Sequence, residues 1–286
     1  MKNEVYNLYI KCLPDIIRDR DTVRDILGNE KNHVIEQREN GVLAGVSVIN
    51  ENTILLLCVD SPFQNRGIGS ELLKQSEQYI FSCGFEKITL GAGKDYIMPG
   101  VPMNGGVHGF FARRGYINSW GESGCFDMIL DLNSFTYSDH CIGDKINEIN
   151  YRWAVPNDLG DIKTCVTDAE ESFVQYYADE SLYDADSTTR VLIAEKCGEI
   201  IATVMVNIEV EREDLGSLAC TATMRAHRGK GIATNLVSLG TKHMKSLGLS
   251  EAFLSYTYTE IVGMYGRVGY KIYMEYFMGE KWNSSI

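Results

Sequence analysis

Gln64-Asn65-Arg66-Gly67-Ile68-Gly69-Ser70 and Arg228-Gly229-Lys230-Gly231-Ile232-Ala233-Thr234 decide the reading of this chain, because they say nearly the same thing twice. Each follows an apolar run, Ile54 to Val59 in the first case and Leu218 to Met224 in the second, and each opens a helical pattern. The repeat keeps its register downstream. Gly67 and Gly84 bracket one helix, Gly231 and Gly248 bracket another at the same separation, and new strands begin at Ile88 and Ala252. Later, Phe110-Phe111-Ala112-Arg113-Arg114-Gly115-Tyr116 matches Met264-Tyr265-Gly266-Arg267-Val268-Gly269-Tyr270. A strand, a glycine turn and a helix, laid down twice, read as two anion-binding domains.

The chemistry of such a turn is direct. The first amides of a helix have no internal partner, and the helix dipole puts partial positive charge beside them. Glycine lets a phosphate approach the backbone closely and lets the turn take dihedrals closed to other residues. Arg66 in one copy, and Arg228 with Lys230 in the other, are expected to add full charges near a bound anion. Neither copy ends in the Lys-Ser/Thr of a P-loop, and neither completes the Gly-x-Gly-x-x-Gly dinucleotide fingerprint.

These motifs resemble the GNAT superfamily of N-acetyltransferases. Gln64-x-x-Gly67-x-Gly69 and Arg228-x-x-Gly231-x-Ala233 are similar to its acetyl-CoA pyrophosphate motif, and the two later segments to its Tyr/Phe-x-x-x-Gly-Phe/Tyr. The resemblance covers nearly the whole chain. It implies an α/β fold of two GNAT-like domains, each a mixed, mostly antiparallel sheet flanked by helices. It implies acetyl-CoA as cofactor, with pyrophosphate held at Arg228, Gly229, Lys230, Gly231, Ile232, Ala233 and Thr234, and the pantetheine arm along the backbone of Ala222, Thr223 and Met224. The equivalent residues of the first copy are Asn65, Arg66, Gly67, Ile68, Gly69 and Ser70, joined by Asn104, where the family often has an Asn that contacts the cofactor.

The copies differ where the family places its general acid. The second has Tyr265, which the resemblance makes the proton donor to the departing CoA thiolate; the first has Phe111, which has no proton to give. The second copy has Tyr258 where the first has Asn104, so each half departs from the pattern once. The working site is therefore expected in the second domain. The first domain is expected to be non-catalytic. It also carries an insertion around Lys94 to Met103, whose Pro99-Gly100-Val101-Pro102 resembles a loop of some tandem GNAT proteins. The general base is unassigned: Thr53 and Ser217 occupy the place where the family often has a Glu. Glu209, Glu211 and Glu213 alternate on a nearby hairpin, where they either line an acceptor site or form a solvated edge.

Composition sets the remaining bounds. The 286 residues leave room for domains at residues 1–133 and 151–286, with a polar linker at 134–150. A hydrophobic content of 44% with 23% charged residues is that of a globular protein. No run approaches about 18 apolar residues, so no membrane span is expected. Met1 to Tyr6 lacks the apolar core of a secretory leader. The 8 cysteines form no Cys-x-x-Cys pair, which points to a reduced, cytoplasmic protein. A net charge of −12 argues against nucleic-acid binding and is compatible with an amine acceptor, small-molecule or peptide. The 5 histidines are isolated from one another and from cysteine at ligand spacings, so no metal is expected. Direct transfer of an acetyl group to an amine is the leading expectation. Another acyl or aminoacyl transfer, and a non-catalytic CoA sensor, stand beside it. Oligomeric state is not legible.

Overall fold

A computed structural model describes residues 2–92, 96–138, 149–208 and 214–283, and the chain divides into two compact units. The first opens with two helices, α1 (Lys2–Cys12) and α2 (Arg20–Gly28). Pro14 ends the first, because the residue before a proline avoids the helical region. Asp19 starts the second by accepting the amide of Thr22 at 2.6 Å. The antiparallel strands β1 (His33–Glu39), β2 (Val42–Asn50) and β3 (Thr53–Val59) follow, joined by tight turns at Asn40-Gly41 and Glu51-Asn52. Helix α3 (Ile68–Ser82) buries Leu72, Leu73, Ser76 and Ile80, the face its spacing defines. Strand β4 (Lys87–Leu90), the short β5 (Val101–Pro102), α4 (His108–Ala112) and β6 (Ile117–Asn118) complete this stretch.

The second unit comprises residues 126–273. Its elements are β7 (Cys125–Asp131), β8 (Ile149–Trp153), α5 (Leu159–Glu170), β9 (Thr189–Lys196), β10 (Glu199–Asn207), β11 (Leu215–Thr223), α6 (Ile232–Ser246), β12 (Glu251–Tyr258), α7 (Thr259–Val268) and the first residues of β13 (Lys271–Phe277), within which the unit boundary falls. The strands run in the order β13-β7-β12-β11-β10-β9-β8. One hydrophobic cluster packs under α6 and α7 and includes Leu236, Val237, Met244, Tyr265 and Tyr270. Another packs under α5 and includes Ile162, Val166 and Tyr177. Each fully buried aliphatic side chain in these clusters is worth about 1.5–3 kcal/mol relative to exposure.

The unit boundaries depart from the expected 1–133 and 151–286 in a reciprocal way. Strand β7, expected to complete the first domain, lies between β12 and β13 of the second unit. The last strand, β14 (Gly279–Trp282), lies in the first unit's sheet, whose order is β1-β2-β3-β4-β14-β6. The first unit therefore consists of Met1–Cys125 together with Met274–Ile286. Alternating apolar residues show that a strand is buried but do not say which sheet receives it. Specific contacts fix β14 in place. Lys281 pairs with Glu77 at 2.9 Å and Lys87 with Glu280 at 2.8 Å. Gly279 lies so close to β4 that a Cβ there would meet Leu90 Cδ1 at 2.6 Å and Phe277 Cε1 at 2.8 Å. Most of the expected linker, residues 139–148, lies outside the described residues, as do Lys94 and Asp95 of the insertion.

Replacing Gly279 by Ala is expected to overpack this strand and destabilise the protein by about 1–3 kcal/mol, read from urea unfolding. Amide exchange should rise first in β4, the longer of the two first-unit strands that β14 pairs with. Unchanged protection of Lys87–Leu90 would place β14 elsewhere.

Candidate functional site

Strands β11 and β12 run parallel and pair at Leu215↔Glu251, Gly216↔Ala252 and Ser217↔Phe253, where their described ladder ends. Beyond Ser217, β11 stays paired with β10 as far as Thr223. The sheet thus opens between its two central strands, leaving strand backbone available along one edge. The first unit repeats this: β3 and β4 pair at Thr53↔Thr89 and Ile54↔Leu90.

Both edges of the second-unit opening are bent. In β11, Cys220 has φ +49° and the register with β10 shifts between Thr203 and Met205, which makes a bulge. Tyr177 Oη donates to the Cys220 carbonyl at 2.6 Å. In β12, Tyr256 has φ +59°, and its amide bonds Asp127 Oδ1 at 3.2 Å. The same carboxylate oxygen accepts from Ser255 Oγ at 2.6 Å. Asp127 comes from β7, the strand given by the first half of the chain, and is 2% exposed.

The glycine turns have one geometry in both copies. Gly229 (φ +74°) and Gly231 (φ +78°) match Asn65 (φ +61°) and Gly67 (φ +85°). Asn is among the few residues other than glycine that tolerate this region. Gly231 and Gly67 are the N-caps of α6 and α3, and neither helix start has a side-chain cap. The amides of Ile232, Ala233 and Thr234, and of Ile68, Gly69 and Ser70, therefore precede the first intrahelical bonds, Asn235 N to Gly231 O and Glu71 N to Gly67 O. A Cβ on Gly69 would make ordinary contacts with Val59 and Phe110 at 3.6–3.8 Å, which explains why the second copy accepts Ala233 there.

The motif's first residue does something the sequence did not suggest. Arg228 Nε donates to Thr223 O at 3.1 Å and Nη2 donates to Ala169 O at 2.8 Å. Gln64 Nε2 donates to Val59 O at 2.9 Å. In both copies this side chain ties the turn back to the end of its strand, a task Arg and Gln share because each offers an N–H donor. Lys230 Nζ likewise donates to Ala226 O at 2.9 Å, within the turn. These two cations lie at the turn with bonds to carbonyls of their own chain. Arg66 is exposed, its guanidinium 5.6 Å from the ring centre of Phe63.

Other expected residues divide similarly. Ala222 and Thr223 are buried on β11 opposite Thr203 and Ala202. The Met224 amide donates to Ile201 O and its carbonyl accepts from His227 N, both at 2.9 Å, so its backbone is already engaged. Asn104 is exposed, in a short turn before α4. Just after α4, Arg114 Nη2 reaches the first-unit turn and donates to Ser70 Oγ at 2.8 Å. Helix α7 approaches the second turn through Arg267 Nη2, 3.5 Å from Thr234 Oγ1. Glu209, Glu211 and Glu213 lie outside the described residues.

Tyr265 sits on α7, 6% exposed, and its hydroxyl donates to Thr221 Oγ1 on the bent edge of β11 at 3.2 Å. Burial pushes the phenol up to about 12, against the opposing hydrogen bond to Thr221, so at neutral pH it holds its proton. Its ring meets Tyr270 edge-on at 6.1 Å. Phe111 repeats the pose in the first unit, edge-on to Tyr116 at 5.7 Å. The position of Thr221 there is Leu57, so that corner is apolar. Thr221, Tyr177 and Asp127 were not singled out in the sequence. Only Asp127 left a signal, an acid set among the apolar residues Phe126, Met128, Ile129 and Leu130.

Comparison with known proteins follows the same division. The GNAT acetyltransferase family model matches residues 157–270, and a second acetyltransferase (GNAT) domain model matches residues 4–99. No curated protein sequence matches the chain. Among solved structures, a GCN5-related glucosamine N-acetyltransferase region of a fungal multi-domain GH3 β-N-acetylglucosaminidase aligns with TM-score 0.79 at 18% identity. That alignment covers 98% of this chain and 37% of the other, so this chain spans well under half the length of that relative. A GCN5-related N-acetyltransferase from Sphaerobacter thermophilus aligns with TM-score 0.71 at 17% identity, covering 98% of this chain and 91% of that one. A tandem GNAT protein from the clavulanic acid biosynthesis pathway aligns with TM-score 0.68 at 13% identity, over 98% and 94%. At these identities the likeness is one of fold. With each half matched by its own family model, and the doubled arrangement shared across whole chains, this protein belongs to the GNAT superfamily of acetyltransferases in its tandem form.

Proposed function

We propose that the protein is an acetyl-CoA-dependent N-acetyltransferase that moves the acetyl group directly to an amine, and that the second unit does the work. The observation that carries this reading is the buried Tyr265 hydroxyl, bonded to the opened edge of β11, in the same unit as an uncapped glycine turn. The family makes acetyl-CoA the expected cofactor, and the residues present fit it. The amides of Ile232 to Thr234, with Gly229 and Gly231 in left-handed conformations, suit a pyrophosphate. The parted edge of β11 at Ala222 and Thr223 suits an extended arm. Bound acetyl-CoA supplies an activated thioester. Arg228 and Lys230 hold the turn in shape, and Tyr265 keeps a proton at Oη for a departing thiolate. Catalysis of this kind rests on positioning and on donors fixed before reaction.

The first unit is proposed to be non-catalytic, since Phe111 and Leu57 stand where Tyr265 and Thr221 stand in the second. Its turn keeps the anion-binding geometry without a proton donor. The acceptor class is an amine, small-molecule or peptide. The net charge of −12 agrees with a cationic acceptor and disfavours nucleic acid. A reducing, cytoplasmic setting is proposed with it; the described cysteines, Cys12, Cys58, Cys83, Cys125, Cys165, Cys197 and Cys220, form no disulfide with one another.

Thioester consumption in the presence of a panel of amines tests the reading, and absence of any turnover would leave a CoA-binding protein instead. Gly231→Asp is expected to abolish CoA binding by calorimetry, because it places a side chain at φ +78° and a negative charge at the anion site. Gly67→Asp should leave acetyl transfer intact; the opposite pattern would reverse the roles of the units.

Tyr265→Phe should lower kcat by about 10-fold or more while CoA affinity changes little, since the ring remains. The donor form is the neutral phenol, present below its raised pKa of about 12. The kcat–pH profile should therefore show no alkaline fall from this group below about pH 11. Full activity in Tyr265→Phe would return Tyr265 to a packing role.

A further inference from the structure

We propose that Tyr177 is a positioning residue for the second-unit site, holding the bulge of β11 against which Tyr265 is set; this rests on the acetyl-transfer reading above. Tyr177 lies in the 3-10 segment Glu171–Ala178 after α5 and is fully buried at 0% exposure. Its hydroxyl donates to the Cys220 carbonyl at 2.6 Å and lies 2.8 Å from Thr203 Oγ1. A phenol has one proton to donate. With that proton on the carbonyl, Thr203 is the donor in the second bond, so the tyrosine hydroxyl is polarised towards Cys220. Burial raises its pKa, which keeps it a donor.

The held residue is in a conformation that needs holding. Cys220 has φ +49°, and a non-glycine residue stays in the left-handed region only where its surroundings fix it. The next residue, Thr221, gives its Oγ1 to Tyr265 Oη at 3.2 Å. Two buried tyrosines thus grip successive residues of one bulge, Tyr177 from the cluster under α5 and Tyr265 from the cluster under α6 and α7. Phe111 and Leu57 leave the first unit no hydroxyl pair to match Tyr265 and Thr221. Leu56 and Leu57 occupy the matching positions, and no residue of β3 has a positive φ. The left-handed bend and the Tyr265–Thr221 pair thus occur together in the second unit, and β3 with Phe111 has neither. Tyr177 touches no reacting atom in this arrangement; it acts by fixing where Thr221 and Tyr265 meet.

Tyr177→Phe keeps the ring and removes the clamp. It is expected to lower kcat roughly 5- to 20-fold, in line with one lost buried hydrogen bond, while KM for acetyl-CoA stays within about 2-fold. In the Tyr265→Phe background the same change should cost less than about 2-fold, because both act on one contact. Equal losses in the two backgrounds would overturn the proposal. Amide exchange gives a reading that needs no turnover: protection at Thr221 and Ala222 should fall about 10-fold in Tyr177→Phe with little change in β9. Unchanged exchange there would also overturn it. If the unaltered protein consumes no thioester, the acetyl-transfer reading fails, and the exchange result still judges the clamp. Should Tyr177→Phe not fold, Thr203→Val removes the donor that polarises the same hydroxyl. A smaller loss of protection at Thr221 is then expected, and none would count against the clamp.

Discussion

Parallel strands in the middle of a sheet ordinarily pair along their length, because backbone amides and carbonyls that leave water must find partners. In the second unit β11 and β12 share their described ladder only from Leu215 to Ser217, and the remaining architecture answers to that parting. The strands cannot simply drift apart. Each edge is bent at a left-handed residue, Cys220 on one side and Tyr256 on the other, and each bend is held by a buried side chain. Helix α6 starts just beyond the end of β11, so its uncapped amides belong to the same corner as the opened edge. Helix α7 follows β12 directly, and it brings Tyr265 back to β11.

Much of this was legible because it is local. The glycine turns fix backbone dihedrals over a few residues, and the helix behind each turn has a periodic apolar face, so both could be read from spacing. The match of Phe111 to Tyr265 was read from spacing and holds in three dimensions as a repeated ring pose against Tyr116 and Tyr270. What escaped was long-range. Tyr177 is separated by 43 positions from the carbonyl it holds, and Asp127 by 129 from the Tyr256 amide, and no periodicity records such pairings. Arg228 is a related case: a cation in a phosphate motif suggests charge, and the motif does not announce the two carbonyls that the same guanidinium binds.

The doubled plan also shows what duplication leaves free to vary. Positions that set dihedrals, Gly67 and Gly231, are kept, whereas Gln64 and Arg228 differ in charge but agree in the bond they make. Gly69 and Ala233 differ because the site admits a methyl group. The Tyr265 hydroxyl and its Thr221 partner are present in only one copy, so the scaffold does not need them, which is why they are proposed to serve chemistry.

The crossed strands bear on how the molecule comes into being. Sequence separation between partners sets how much chain entropy must be given up before a contact helps, and local folds form faster for that reason. The first unit's ion pairs through β14 close over 193 and 204 positions, so its sheet lacks an interior strand until residues 279–282 have been made. During synthesis the early half must therefore wait, with β4 and β6 not yet joined, while the later half is translated. An unpaired strand edge in that interval is a site for association with other chains. Expression yield of this protein should thus respond to translation speed and to chaperone supply more than its folded stability would indicate.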